Sequence, residues 1–211
     1  MRTLAFLLIL ATASQAFAAE ESWDFRVTLD GRDIGSHSYR LEQSDDGVRL
    51  RSEARFDVRL LFFSAYRYEH EAVEHWQGGC LRSLESKTVT NGKRIAVSAR
   101  DSGGELAVER PAGRETLRGC VLTFAYWDSR ILEASALLNS QTGELVPVRI
   151  ESLGTESVIA EGRQVLATRH RIGGTGLQID LWYAGDRWVA LEALTEGGRR
   201  LRYELTEEKR T

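Results

Sequence analysis

The stretch "YRYEHEAVEHW" at residues 66–76 gathers the side chains with the most chemistry: His70 and His75, Glu69, Glu71 and Glu74, with aromatics at both ends. Two imidazoles among carboxylates can ligate a metal or relay a proton. A zinc-protease helix needs H-E-x-x-H, which stacks its imidazoles one turn apart. Here the second histidine comes one residue late. On a helix the rings would diverge by about 140°, and on a strand they would lie on opposite faces. They cannot clamp one ion, and no metal site is expected. Read as a strand, one face carries Tyr66, Tyr68, His70, Ala72, Glu74 and Trp76, which suits the wall of a core or cavity. The other face, with Arg67, Glu69, Glu71, Val73, His75 and Gln77, suits solvent.

Other catalytic templates fare no better. There is no G-x-S-x-G elbow to present a nucleophilic serine. "GGTG" (173–176) lies between two strand patterns, so no helix follows it to cradle a phosphate. "FAYWD" (124–128) and "IDLWY" (179–183) place Trp127 and Trp182 near Asp128 and Asp180. Such clusters suit a sugar or an apolar ligand, and equally an ordinary core. No motif implies a cofactor.

The elements that must position these residues are strands. Period-two alternation broken by glycine-bearing turns runs through most of the chain. "CLRSLESKTVT" and "KRIAVSAR" flank Asn91-Gly92, a strong hairpin signal because both turn positions need positive φ. One stretch has helical spacing: Asp128 can cap "SRILEASALLN", with Ile131, Ala134, Ser135 and Leu138 on one side. Pro147 suggests an edge strand or a bulge. The expected fold is mainly β: a single curled antiparallel sheet, half-barrel or barrel, of about ten to twelve strands with one short helix.

"MRTLAFLLILATASQAFAAE" reads as a signal peptide over residues 1–18, with Arg2, an apolar run and a small-residue cleavage site. Residues 19–211 are then expected to form one β-rich domain. The apolar run is shorter than the ~20 residues that span a bilayer, and no later stretch is apolar enough. The net charge of −3 gives no reason to expect nucleic acid. In an exported chain an isolated cysteine pair, Cys80 and Cys120, is expected to form a disulfide.

"VTLDGRDIGSHSYRL", "HEAVEHWQGGCLRSLESKTVTNGK", "FAYWD…LLNSQTGELVPV" and "IDLWYAGDRWVALE" together resemble an uncharacterised family of exported bacterial β-rich proteins. More distantly, the pattern is similar to periplasmic lipoprotein-carrier half-barrels, in which an incomplete barrel wraps a short helix over an apolar cavity. The resemblance implies the periplasm of a Gram-negative bacterium and supports the cysteine pairing. It brings no catalytic residues with it.

Taken together these features lead first to a non-enzymatic binding or carrier module for a lipid or other apolar ligand. Tyr66, Tyr68, His70, Trp127 and Trp182 are its expected lining, with the 128–139 segment as lid or plug. An alternative is a structural or assembly protein of the envelope. Another is a hydrolase or isomerase acting on an envelope lipid or glycan, with His70 or His170 as base and Glu74, Asp128 or Asp180 as acid.

Overall fold

A computed structural model describes residues 20–60, 63–195 and 197–210, the side chains at 59, 60, 63 and 64 excepted. The expected signal peptide lies outside the described residues. Eight strands follow one another as an antiparallel meander: β1 (Glu20–Leu29), β2 (Arg32–Ser44), β3 (Gly47–Leu60), β4 (Phe63–Gln77), β5 (Cys80–Thr90), β6 (Lys93–Ser102), β7 (Glu105–Arg110) and β8 (Gly113–Arg118). Their alternation is what the sequence pattern demands, with apolar residues buried at every second position of β1 from Trp23 to Leu29. The Asn91-Gly92 turn has both residues at positive φ, 49° and 84°, as a tight hairpin of this hand requires.

The chain then crosses the concave side of the sheet. It forms a 3-10 helix (Ser129–Glu133) and two short strands, β9 (Ala136–Leu138) and β10 (Leu145–Pro147), paired with each other outside the main sheet. Asp128 caps the helix, its side chain accepting from the Arg130 N–H at 3.0 Å. The helix is five residues long, shorter than the helical spacing predicts. Ala134 turns to extended backbone, and the Leu138 N–H is taken by the Leu122 carbonyl at 2.8 Å. Strand pairing with the 121–123 segment thus replaces the later turns of an α-helix.

Five more strands complete the fold: β11 (Arg149–Ala160), β12 (Arg163–Gly174), β13 (Leu177–Ala184), β14 (Arg187–Leu194) and β15 (Arg200–Arg210). Strand β15 pairs with β1, joining both runs into one sheet in the order β11-β12-β13-β14-β15-β1-β2-β3-β4-β5-β6-β7-β8. The sheet is curled and not closed, with β11 and β8 at its two ends. Its thirteen strands exceed the ten to twelve expected. Strand β8 carries little pattern to announce it, Leu117 being its only buried residue.

Curvature has visible causes. Strand β2 bulges against β1 between Val27 and Thr28, and Gly35 stands there at φ +141°. A Cβ at Gly35 would lie 2.0 Å from the Arg55 carbonyl oxygen, so the close approach of β2 and β3 requires glycine. The Cys80–Cys120 disulfide, Cα–Cα 5.0 Å, ties the start of β5 to the chain leaving β8. For its 40-residue separation, chain entropy gives a stabilisation of roughly 3–4 kcal/mol. The crossing segment is packed tightly, with Ile131, Leu137 and Leu138 wholly buried against the sheet. Among the described residues no helix is long and apolar enough to cross a membrane.

Candidate functional site

Two cavities follow the inward face of β4. Tyr66 and Tyr68 line the outer one, and Tyr68, His70, Ala72 and Glu74 line the inner one. From Tyr66 to Glu74 the strand advances ~26 Å at ~3.3 Å per residue. The outer cavity, of ≈ 590 Å³, has apolar walls from Leu29, Ile34, Phe56 and Val58, with Arg199 as its one cation among the described residues. The inner cavity, of ≈ 240 Å³, is roofed by the crossing segment through Phe124, Tyr126 and Ser140. The two meet at Tyr68, Gln141, Leu201 and Tyr203, which line both.

Strand register sets the inner cavity in rows. His37 of β2, Ala54 of β3, His70 of β4 and Thr88 of β5 stand opposite one another in turn. His37 has both ring nitrogens engaged: Nε2 with Ser52 Oγ at 2.7 Å, and Nδ1 with the hydroxyls of Tyr39 and Tyr203 at 3.2 and 3.3 Å. His70 Nδ1 pairs with Thr88 Oγ1 at 2.9 Å, and its Nε2 lies 3.5 Å from Ser140 Oγ. Two rows deeper, past Ala72, Glu74 faces Leu50 and Leu84 across the strands. Its Oε2 accepts from the Trp76 indole N–H at 3.0 Å and the Thr123 hydroxyl at 3.2 Å.

Burial dominates the protonation of these groups. It holds the His37 imidazole down at about 3, with the neighbouring His70 adding to the effect, and the His70 ring at about 4. It pushes the Glu74 carboxyl up to about 7, against the opposing pull of its Trp76 and Thr123 hydrogen bonds. The Tyr39, Tyr68 and Tyr203 phenols are also raised by burial. The buried histidines, carboxyl and phenols of the inner cavity are therefore uncharged through mildly acidic pH, because desolvation disfavours the ionised form of each group.

The residues expected from the sequence divide between places. Tyr66, Tyr68 and His70 come together on the β4 wall. Trp127 is half-buried, edge-on to Trp76 with ring centroids 5.9 Å apart, and lines neither cavity. Trp182 is on the opposite face of the sheet from the cavities. There its indole N–H donates to Glu156 at 2.7 Å and the Arg169 and Arg202 guanidiniums cover its ring at 5.1 and 5.3 Å. Asp180 shares that face: burial pushes its carboxyl up, but Arg171 and Arg169 outweigh it and hold the group below the ordinary carboxylate range. Asp128 is held by the Arg130 guanidinium through both oxygens. His170 packs edge-on to Tyr183 and lines neither cavity. His37, Tyr39 and Tyr203 escape the sequence reading. "SHSYRLE" does put His37 and Tyr39 on one face, but only the β2–β3–β4 register brings them to His70. Among the described residues no cluster of three or more His, Cys, Asp or Glu is placed to hold a metal ion.

A solved structure shares this fold. It is the crystal structure of a beta-barrel-like protein of Domain of Unknown Function DUF1849 from Brucella abortus, with TM-score 0.65 at 12% sequence identity. The match covers 92% of this chain and 98% of that one. No curated protein matches the sequence. A family model described as Domain of unknown function (DUF6134) matches residues 25–206. The chain belongs to that family of β-rich proteins.

Proposed function

We propose that the protein is a non-enzymatic binding or carrier module of the cell envelope for a lipid or another elongated apolar molecule. The observation that carries this reading is the apolar outer cavity of ≈ 590 Å³ meeting, along a single strand face, a smaller one that adds a few buried polar groups. Ligand sites of this kind are mostly apolar concavities of about 300–1,000 Å³ with a few placed polar groups. Burying an alkyl chain there contributes ~25 cal/mol per Å² of apolar surface removed from water. The inner polar groups then fix which end of the ligand goes in. The Cys80–Cys120 disulfide supports an oxidising compartment, and the reading places the protein in the periplasm.

Mass spectrometry of an organic extract tests this on full-length protein purified without detergent from a periplasmic fraction. A long-chain molecule at near one copy per protein is the expected result. An extract that stays empty after refolded protein is incubated with total envelope lipid, repurified and extracted would overturn the reading.

A further inference from the structure

The inner cavity narrows the chemical class of the ligand, on the reading that the two cavities hold one molecule. Glu74 is the key group. Both of its hydrogen bonds go to Oε2, from Trp76 and Thr123. Oε1 has no hydrogen-bond partner among the described residues, although the side chain is only 5% exposed and lines the cavity. No lysine or arginine lines the inner cavity among the described residues.

We propose that the ligand is an uncharged long-chain amphiphile that enters polar end first, its hydroxyl or carbonyl oxygen accepting a hydrogen bond from Glu74 Oε1. A carboxyl buried without a cation is held neutral, because ionising it in this setting has no compensation. Its proton belongs on Oε1, since Oε2 already accepts twice. The carboxyl is thus an O–H donor in need of an acceptor. His70 Nε2, only loosely held by Ser140 at 3.5 Å, offers a second neutral contact on the same wall. An anionic end would lose its hydration with no cation in reach. Arg199 stands at the outer cavity and is already paired with Asp30 at 2.7 Å. A permanent cation would likewise be desolvated, and to pair with it Glu74 would have to ionise in a buried site.

Calorimetric titration of the delipidated full chain at pH 6 tests this with three ligands of one chain length, the two ions below their micelle concentrations and the alcohol below its solubility limit. They are dodecan-1-ol, dodecane-1-sulfonate and dodecyltrimethylammonium. The alcohol is expected to bind at least ~10-fold more tightly than either ion, the cost of one uncompensated charge. Glu74→Gln keeps a donor beside an acceptor and is expected to hold the alcohol within ~3-fold. Glu74→Leu removes the donor and is expected to weaken binding of the alcohol by ~10-fold or more. Should Glu74→Leu fail to fold, the wild-type ranking still decides. Equal binding of all three ligands, or a lead for either ion, overturns this inference and leaves the binding function standing. Failure of all three overturns the binding function and this inference with it.

Discussion

A carboxyl on an inward strand face is costly unless something compensates, and among the described residues Glu74 has only the Trp76 indole and the Thr123 hydroxyl as partners. Its folded-state value of about 7 lies above the ordinary 4.5. Such a group stabilises the fold fully below the unfolded value. It takes stability away as pH rises through about 7, because only the unfolded chain ionises freely in between. His37 and His70 act in the opposite sense. Their folded values of about 3 and 4 lie below 6.5, so their contribution is complete above 6.5 and lost as pH falls toward those values. Glu74→Gln removes one of these opposed titrations. Its stability relative to wild type is expected to rise by about 3 kcal/mol between pH 4 and pH 8, read from urea unfolding at each pH. A difference that stays flat across that range would contradict the burial of an ionisable Glu74. That face of β4 was legible in the sequence, since alternation alone places Tyr68, His70 and Glu74 together. Their partners were not, because cross-strand register is a tertiary fact.

At the scale of the element, the hairpin signals in the sequence correspond to real turns, Asn91-Gly92 among them, because positive φ leaves so few residue choices. The stretch after Asp128 shows where local pattern misleads. Ile131, Ala134, Ser135 and Leu138 have helical spacing, but Leu137 and Leu138 are buried as an extended pair and not along a helix face. Burial inside the curl outweighed a weak propensity. Trp182 misled for a related reason. An aromatic beside an aspartate on a strand does not declare which face is concave, and Arg169, Arg171 and Arg202 bury that face with ion pairs. Gly35 makes the strongest element-level prediction. Gly35→Ala must open the β2–β3 approach beside the His37 row, since its Cβ would meet backbone and not a movable side chain. A loss of about 2–4 kcal/mol is expected in chemical denaturation. Gly103→Ala, at a turn where nothing lies within 4 Å of the added carbon, serves as the comparison and is expected to cost about 1 kcal/mol. Equal losses at both sites would show that backbone conformation alone, and not close approach, decides.

At the scale of the whole molecule, a curled sheet of thirteen strands has a concave face larger than its own side chains can fill. The crossing segment from Val121 to Val148 fills one part, with Ile131, Leu137 and Leu138 wholly buried. The part beside Val58 and Tyr66 stays open, and this asymmetry is what makes a binding function the economical account. The fold class was legible because alternation repeats from one end of the chain to the other. The open cavity was not, since no local pattern states how far a sheet curls. The most direct measurement is a fluorescence titration of delipidated protein with an alkyl-chain probe, in parallel with Val58→Trp, which puts a bulky indole into the wall of the outer cavity and narrows it. The account predicts saturable binding to wild type, weakened ~10-fold or more in Val58→Trp, with both proteins melting at similar temperatures. Binding that is unsaturable, or indifferent to the narrowed cavity, would contradict it.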